Sequence, residues 1–173
     1  VTSDLRLASR IRFIQNAMGG VPSPLDCWLL IRGMKTLDVR LSRSQENAIA
    51  IATWLERHPM VEQVNYPGLE SFAQRTAHLQ QAEGNGAMLS FRLNPDVPSQ
   101  SFLENLSLWS LAVSLGAVES IVTLPAKMTH LSYPEGERKR LGIDEQLIRL
   151  SVGIESAEDL IEALSKAIEA GRL

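Results

Sequence analysis

Between Leu147 and Gly153 the chain reads Leu-Ile-Arg-Leu-Ser-Val-Gly, an apolar, β-branched run with a single guanidinium in its middle. Ile148, Leu150 and Val152 read as a buried strand, which commits the surrounding chain to a layered fold able to cover it. A guanidinium inside such a run costs several kcal/mol of desolvation unless an anion meets it. Arg149 therefore needs a partner. Its planar fork matches a carboxylate bidentately, and that carboxylate belongs either to the protein or to a bound substrate. On the residue alone, the structural ion pair is the commoner of the two arrangements.

The rest of the chain supplies the layers. Leu5, Leu7, Ala8, Ile11 and Ile14 recur at helical spacing with arginines on the other face, until Gly19-Gly20 ends the helix. Ser23 before Pro24 is an N-cap followed by proline at the first helical position, and helix formers then run on to His58-Pro59. An element of that length reads as a bridge between domains, with a bend expected at Gly33. From Val61 onward short strands alternate with helices. The strands are expected over 61–66, 87–93, 109–114 and 147–152, and the helices over 71–82, 99–105 and 135–141, with a last one starting at Ser156-Ala157-Glu158-Asp159, which has the form of a capping box. The segment Asn94 to Pro98 reads as the loose one. The expected fold class is α/β, a layered α+β unit, with residues 1–60 distinct from a domain over 61–173.

Composition removes several functions. With 17 basic and 20 acidic residues interspersed and a net charge of -3, nothing provides an electrostatic footprint for nucleic acid or an anionic membrane. No apolar run approaches the roughly 20 residues of a membrane span, and charged residues divide the first stretch, so it reads as neither span nor signal peptide. One cysteine, Cys27, rules out an internal disulfide or a multi-thiolate metal site, fits a reducing cytoplasmic setting, and is expected to pack as a small hydrophobe. His58, His78 and His130 fall in separate elements at no metal-ligand spacing, so no metal site is expected.

Taken in order, Arg12-Phe13-Ile14-Gln15-Asn16, the stretch Asp26 to Leu37, Asn47-Ala48, Tyr66-Pro67-Gly68-Leu69, the stretch Leu111 to Ser120, Lys127-Met128-Thr129-His130 and Leu147 to Gly153 resemble one family at consistent spacing. The chain resembles the carboxyl-terminal portion of the pyridoxal-phosphate enzymes of cysteine and methionine metabolism, which include cystathionine lyases and synthase, methionine γ-lyase and homoserine sulfhydrylases. The resemblance implies the small domain of the fold-type I, aspartate aminotransferase-like fold with a long interdomain helix. It also implies pyridoxal 5'-phosphate as cofactor, cystathionine as amino-acid substrate, and a homotetrameric, cytoplasmic enzyme of trans-sulfuration and methionine biosynthesis. The lysine that forms the Schiff base lies, in that family, upstream of the position of Val1. No catalytic residue is therefore assigned within this chain, and the chain alone is expected to be inactive. Gly84-Asn85-Gly86 is too short to serve as a phosphate loop.

The resemblance places Arg149 where the family's guanidinium holds the α-carboxylate of the substrate. A cofactor that labilises one bond at Cα needs that bond held in one orientation, and a bidentate clamp supplies it. Ser114 falls beside the cofactor and the catalytic lysine; on its own it reads as a hydroxyl satisfying its own turn. Thr129 corresponds to a position near the substrate carboxylate, although a threonine there also reads as a cap. Val113 departs from an acidic residue found in several members that work on the γ side of cystathionine. An apolar wall cannot pair with a distal ammonium, which favours carbon–sulfur cleavage by β-elimination. The alternatives are γ-elimination or γ-replacement as in cystathionine γ-lyase, γ-synthase or methionine γ-lyase, and, from another class, a truncated non-catalytic interaction module. Asp26, Arg32, Lys35 and Glu119 read as structural.

Overall fold

Strand β5 (Leu147–Ser151) lies in the middle of a five-stranded sheet whose order is β1-β2-β5-β4-β3. The computed structural model describes residues 2–172. β1 (Val61–Asn65), β2 (Met88–Leu93) and β4 (Ile121–Thr123) run antiparallel to their neighbours toward β5, and the short β3 (Ser110–Leu111) pairs parallel with β4. The helices are α1 (Leu5–Met18), α2 (Pro24–Met34), α3 (Leu37–Glu56), α4 (Arg75–Gln81), α5 (Ser99–Asn105), α6 (Glu135–Arg140) and α7 (Ala157–Ala170). The mixed sheet with helical cover is the expected α/β class.

Register explains how an arginine sits in the central strand. Side chains alternate along a strand, so the two faces of β5 meet different surroundings. Ile148 and Leu150 are buried with Leu89, Phe91 and Leu93 of β2 and Val122 of β4. Ala48, Ile51, Ala52 and Leu55 of α3, Phe102 of α5, and Leu160, Leu164, Ala167 and Ile168 of α7 complete that core. Arg149 points the other way, aligned with Ser90 on β2 and Thr123 on β4. The expected buried strand is thus half right: its neighbours are core, whereas the guanidinium lies on the opposite face.

Two compact units divide the chain, 1–38 and 39–173. In the first, α1 ends as its sequence requires, with Gly19 at φ +69°, a left-handed conformation glycine adopts without a Cβ penalty, and with the Gly20 N–H donating to the Gln15 carbonyl at 3.0 Å. α2 starts on a capping box between Ser23 and Asp26. Cys27 is exposed, not packed, because α2 buries none of its residues. The long helix expected from Pro24 breaks beside the bend expected at Gly33, at Lys35 and Thr36, where the Thr36 N–H and hydroxyl both turn back to the Gly33 carbonyl. A threonine that bonds its own local backbone competes with the helical ladder.

Other boundaries differ for local reasons. α4 starts at Arg75 because 69–75 is spent on successive turns, Phe72 N–H to Leu69 O and Arg75 N–H to Phe72 O. The segment 94–98 is not loose: Val97 is fully buried, and the Gln146 side chain donates to the carbonyls of Asn94 and Val97 at 3.1 and 3.3 Å. β4 goes unseen in the sequence because three residues carry no readable period, although all three are buried.

Candidate functional site

The face of the sheet opposite the helical core carries a row of polar side chains in register: Asn65 on β1, Ser90 on β2, Arg149 on β5 and Thr123 on β4. A cavity of about 290 Å³ opens on it, lined by Asn65, Ser90, Arg149 and His130 among Met88, Pro125, Ile143 and Leu147.

Arg149 is held at one nitrogen. Its Nη2 donates to the Ser114 carbonyl at 3.2 Å and to Thr123 Oγ1 at 3.0 Å. The Thr123 hydroxyl in turn donates to the Ala112 carbonyl at 2.8 Å, so its lone pair is directed at the guanidinium. Nε of Arg149 is buried and has no hydrogen-bond partner. Among the described residues, no carboxylate lies within ion-pair distance of Arg149. The structural ion pair, the commoner arrangement on the residue alone, is absent. Arg92 makes the contrast sharp. It lies on the same face, and it pairs with Asp144 and donates to the Gly142 carbonyl at 2.8 Å. A cation with neutral partners and an unmet buried N–H leaves its charge uncompensated, which favours an anion arriving from outside.

The expected site residues come together unequally. Ser114 meets Arg149 through its carbonyl and not through its hydroxyl. Thr129 is one step removed, its Oγ1 lying 2.8 Å from Nδ1 of His130, which lines the cavity and whose ring packs tilted against Tyr133 with centroids 5.2 Å apart. A turn after β4, closed by the His130 N–H on the Pro125 carbonyl at 2.9 Å, delivers both residues. Val113 is 63% exposed and does not line the cavity. Thr123 and His130 escaped sequence reasoning. The signal for Thr123 was a hydroxyl at the end of an otherwise apolar Ile-Val-Thr strand.

Known proteins match the chain along nearly its whole length. Residues 1–169 match the sequence model of the family described as Cys/Met metabolism PLP-dependent enzyme. The chain belongs to this family, whose enzymes use pyridoxal phosphate. It is 49% identical over 169 residues to a cystathionine gamma-lyase of Dictyostelium discoideum, covering 97% of this chain and 44% of that protein. It is 46% identical to a cystathionine gamma-lyase of Bacillus subtilis (strain 168), covering 98% of this chain and 45% of the relative. Among solved structures, cystathionine gamma-lyase from Lactobacillus plantarum complexed with L-serine superposes with a TM-score of 0.92 at 42% identity, over 99% of this chain and 45% of that one. The chain thus spans less than half the length of the relatives it matches.

The residues present fit one part of such a reaction and not another. The cofactor needs a lysine amine and a cradle for its phosphate, and no lysine lines the cavity. Lys127, Lys139 and Lys166 pair instead with Glu145, Glu135 and Glu162 on the surface. The half-anchored guanidinium with its orphaned N–H fits the carboxylate of an amino acid.

Proposed function

We propose that this chain is the substrate-carboxylate-binding portion, the small domain with its preceding helices, of a pyridoxal-phosphate-dependent carbon–sulfur lyase that acts on cystathionine. The observation that carries the proposal is Arg149: a buried, unmet N–H on a cation with no ion-paired carboxylate among the described residues, facing an open cavity in the sheet. The neighbour complexed with L-serine is a member that holds a free amino acid. The cofactor, when bound, supplies an electron sink for the bond broken at Cα. This chain supplies orientation. Arg149 holds the α-carboxylate, the Ser114 carbonyl and Thr123 hydroxyl hold Arg149, and Met88, Pro125 and Ile143 give the open cavity apolar walls beside it. The lysine and phosphate site belong, on this reading, to the remainder of a cytoplasmic, oligomeric enzyme, so the 173-residue chain alone is inactive.

The relatives named above are γ-lyases, which supports cleavage on the γ side. Val113 supports the β-elimination reading, since it offers no anion for a distal ammonium. Products decide between them: with water taken up and ammonia released in both, γ-elimination of cystathionine gives cysteine and 2-oxobutanoate, whereas β-elimination gives homocysteine and pyruvate.

The test of the site is Arg149→Lys in the intact enzyme. Lysine keeps the charge and loses the two-point clamp, so kcat/KM with cystathionine should fall by about 2–4 kcal/mol equivalent, while thermal stability changes little. Unchanged kinetics, or a kinetic loss matched by unfolding, would return Arg149 to a structural role.

A further inference from the structure

The segment 112–120 delivers Ser114 to Arg149, yet packing does little to hold it. No helix or strand forms between β3 and β4, and Val113, Leu115 and Val118 all point to solvent. Hydrogen bonds do the holding instead, at every second residue. The Ala112 N–H donates to the Val122 carbonyl at 3.1 Å, the Ser114 carbonyl accepts from Arg149, the Gly116 N–H donates to Ser151 Oγ at 2.9 Å, and the Val118 carbonyl accepts from the Ile154 N–H at 2.9 Å.

The far end of the segment is tied to one carboxylate. The Ser120 N–H donates to Oε1 of Glu155 at 2.7 Å and the Ser120 hydroxyl to Oε2 at 2.9 Å, so a single acidic side chain takes both donors of one residue. The Ser120 oxygen also accepts from the Gly153 N–H at 2.9 Å. Asn47, buried on α3, donates from Nδ2 to the carbonyls of Gly153 and Glu155 at 3.0 and 2.8 Å. A Cβ at Gly153 would collide with the Val118 carbonyl and the Glu155 carboxylate. Glycine is required there because the two strands of backbone pass so close. Glu155 itself does not line the cavity.

We propose that Glu155 is a positioning residue for Arg149: by holding Ser120 it sets the course of 112–120, and so the place of the Ser114 carbonyl that orients the guanidinium. The choice of residue is physical. Charge-assisted hydrogen bonds are about twice as strong as neutral ones, and a segment with outward apolar side chains and a glycine at φ +74° has large conformational entropy to overcome. The consequence for substrate rests on the carboxylate reading of Arg149; the consequence for the loop does not.

The experiment uses the full 173-residue chain, isotope-labelled, as the parent and as Glu155→Ala, Glu155→Gln and Ser151→Ala. Glu155→Ala should speed exchange at the Gly116 N–H by about tenfold or more, the equivalent of one charged hydrogen bond. It should also shift and broaden the Arg149 Nε–H resonance, while the amides of the β2–β5 ladder stay as in the parent. Glu155→Gln, which keeps an acceptor for the Ser120 N–H, should fall between. Unchanged Gly116 and Arg149 signals would overturn the proposal, and so would faster exchange at the ladder by the same factor. Should Glu155→Ala not fold, Glu155→Gln gives the same two outcomes, and Ser151→Ala, which removes the acceptor of the Gly116 N–H directly, sets the exchange rate of a released Gly116 against which both are read. In the intact enzyme, Glu155→Gln should raise the KM for the amino acid more than it lowers kcat. A loosened segment with unchanged KM would support the positioning role and overturn the carboxylate reading of Arg149.

Discussion

Residues 2–38 and residues 39–172 build helices by different means. In the first region every helix is punctuated by side chains. Asp4 caps α1 by accepting from the Arg6 and Leu7 N–H groups, Gly19 closes it, and Ser23 and Asp26 box the start of α2. Yet neither helix buries a single residue. In the second region α4, α5 and α6 start with no side-chain cap, and α5 nevertheless buries Phe102 against Phe91 in an edge-on pair with centroids 6.1 Å apart, while α7 is capped by Ser156 and also buries Leu160, Leu164 and Ile168. Capping and burial are separate sources of helix stability: the first is local and written in neighbouring residues, the second comes from tertiary partners.

The sharpest way to break that contrast is to truncate one aromatic in each region. Phe91→Ala should cost about 3–5 kcal/mol by chemical denaturation, because a fully buried ring leaves a cavity. Phe13→Ala, at 74% exposed, should stay within about 0.5 kcal/mol. Equal losses would show that residues 2–38 bury Phe13 in solution.

Alkaline titration sharpens it next. Tyr66 is fully buried and donates its hydroxyl to the Gly86 carbonyl at 2.9 Å. Burial pushes its pKa up from 10.0 to about 12. The folded state therefore holds the phenol proton more tightly than the unfolded state. That contribution is whole below pH 10 and is lost as pH rises to about 12, amounting to about 2–3 kcal/mol. Tyr66→Phe should flatten the stability profile in this window. A profile that stays steep would place the alkaline sensitivity elsewhere.

A smaller and local loss belongs to the capped region. Ser23→Ala should cost α2 about 1 kcal/mol, seen as faster amide exchange confined to the residues of α2 after Pro24. A shift in the global unfolding midpoint would mean that α2 unfolds with the core.

What could be read from the sequence divides by how local its signal is. The end of α1, the start of α2 and the N-cap of α7 at Ser156 were legible because Ser, Pro and Gly act on their immediate neighbours, whereas the Asp4 cap of α1 was missed. The burial of Cys27 was misjudged because a free cysteine packs only where a partner surface exists. Arg149 was legible as a cation in need of a partner, since its apolar neighbours alone raise that question. The answer, a carbonyl at Ser114 and a hydroxyl at Thr123, depends on strand register and on the path of 112–120, and neither has a local signature. The backbone carbonyl of Ser114 could not be picked from the sequence, because any residue would supply it.

The two faces of β5 also govern which changes in chain length the protein can survive. Substitutions at Ile148 or Leu150 test the core, and substitutions at Arg149 test the cavity, each largely without the other. A one-residue insertion or deletion within 147–151 does not permit that separation, because it turns every side chain beyond it to the opposite face. Placed at 147–148, it would drive the guanidinium toward the helical core and turn an isoleucine or leucine to the cavity, so one reading-frame-preserving indel would disturb core and cavity together.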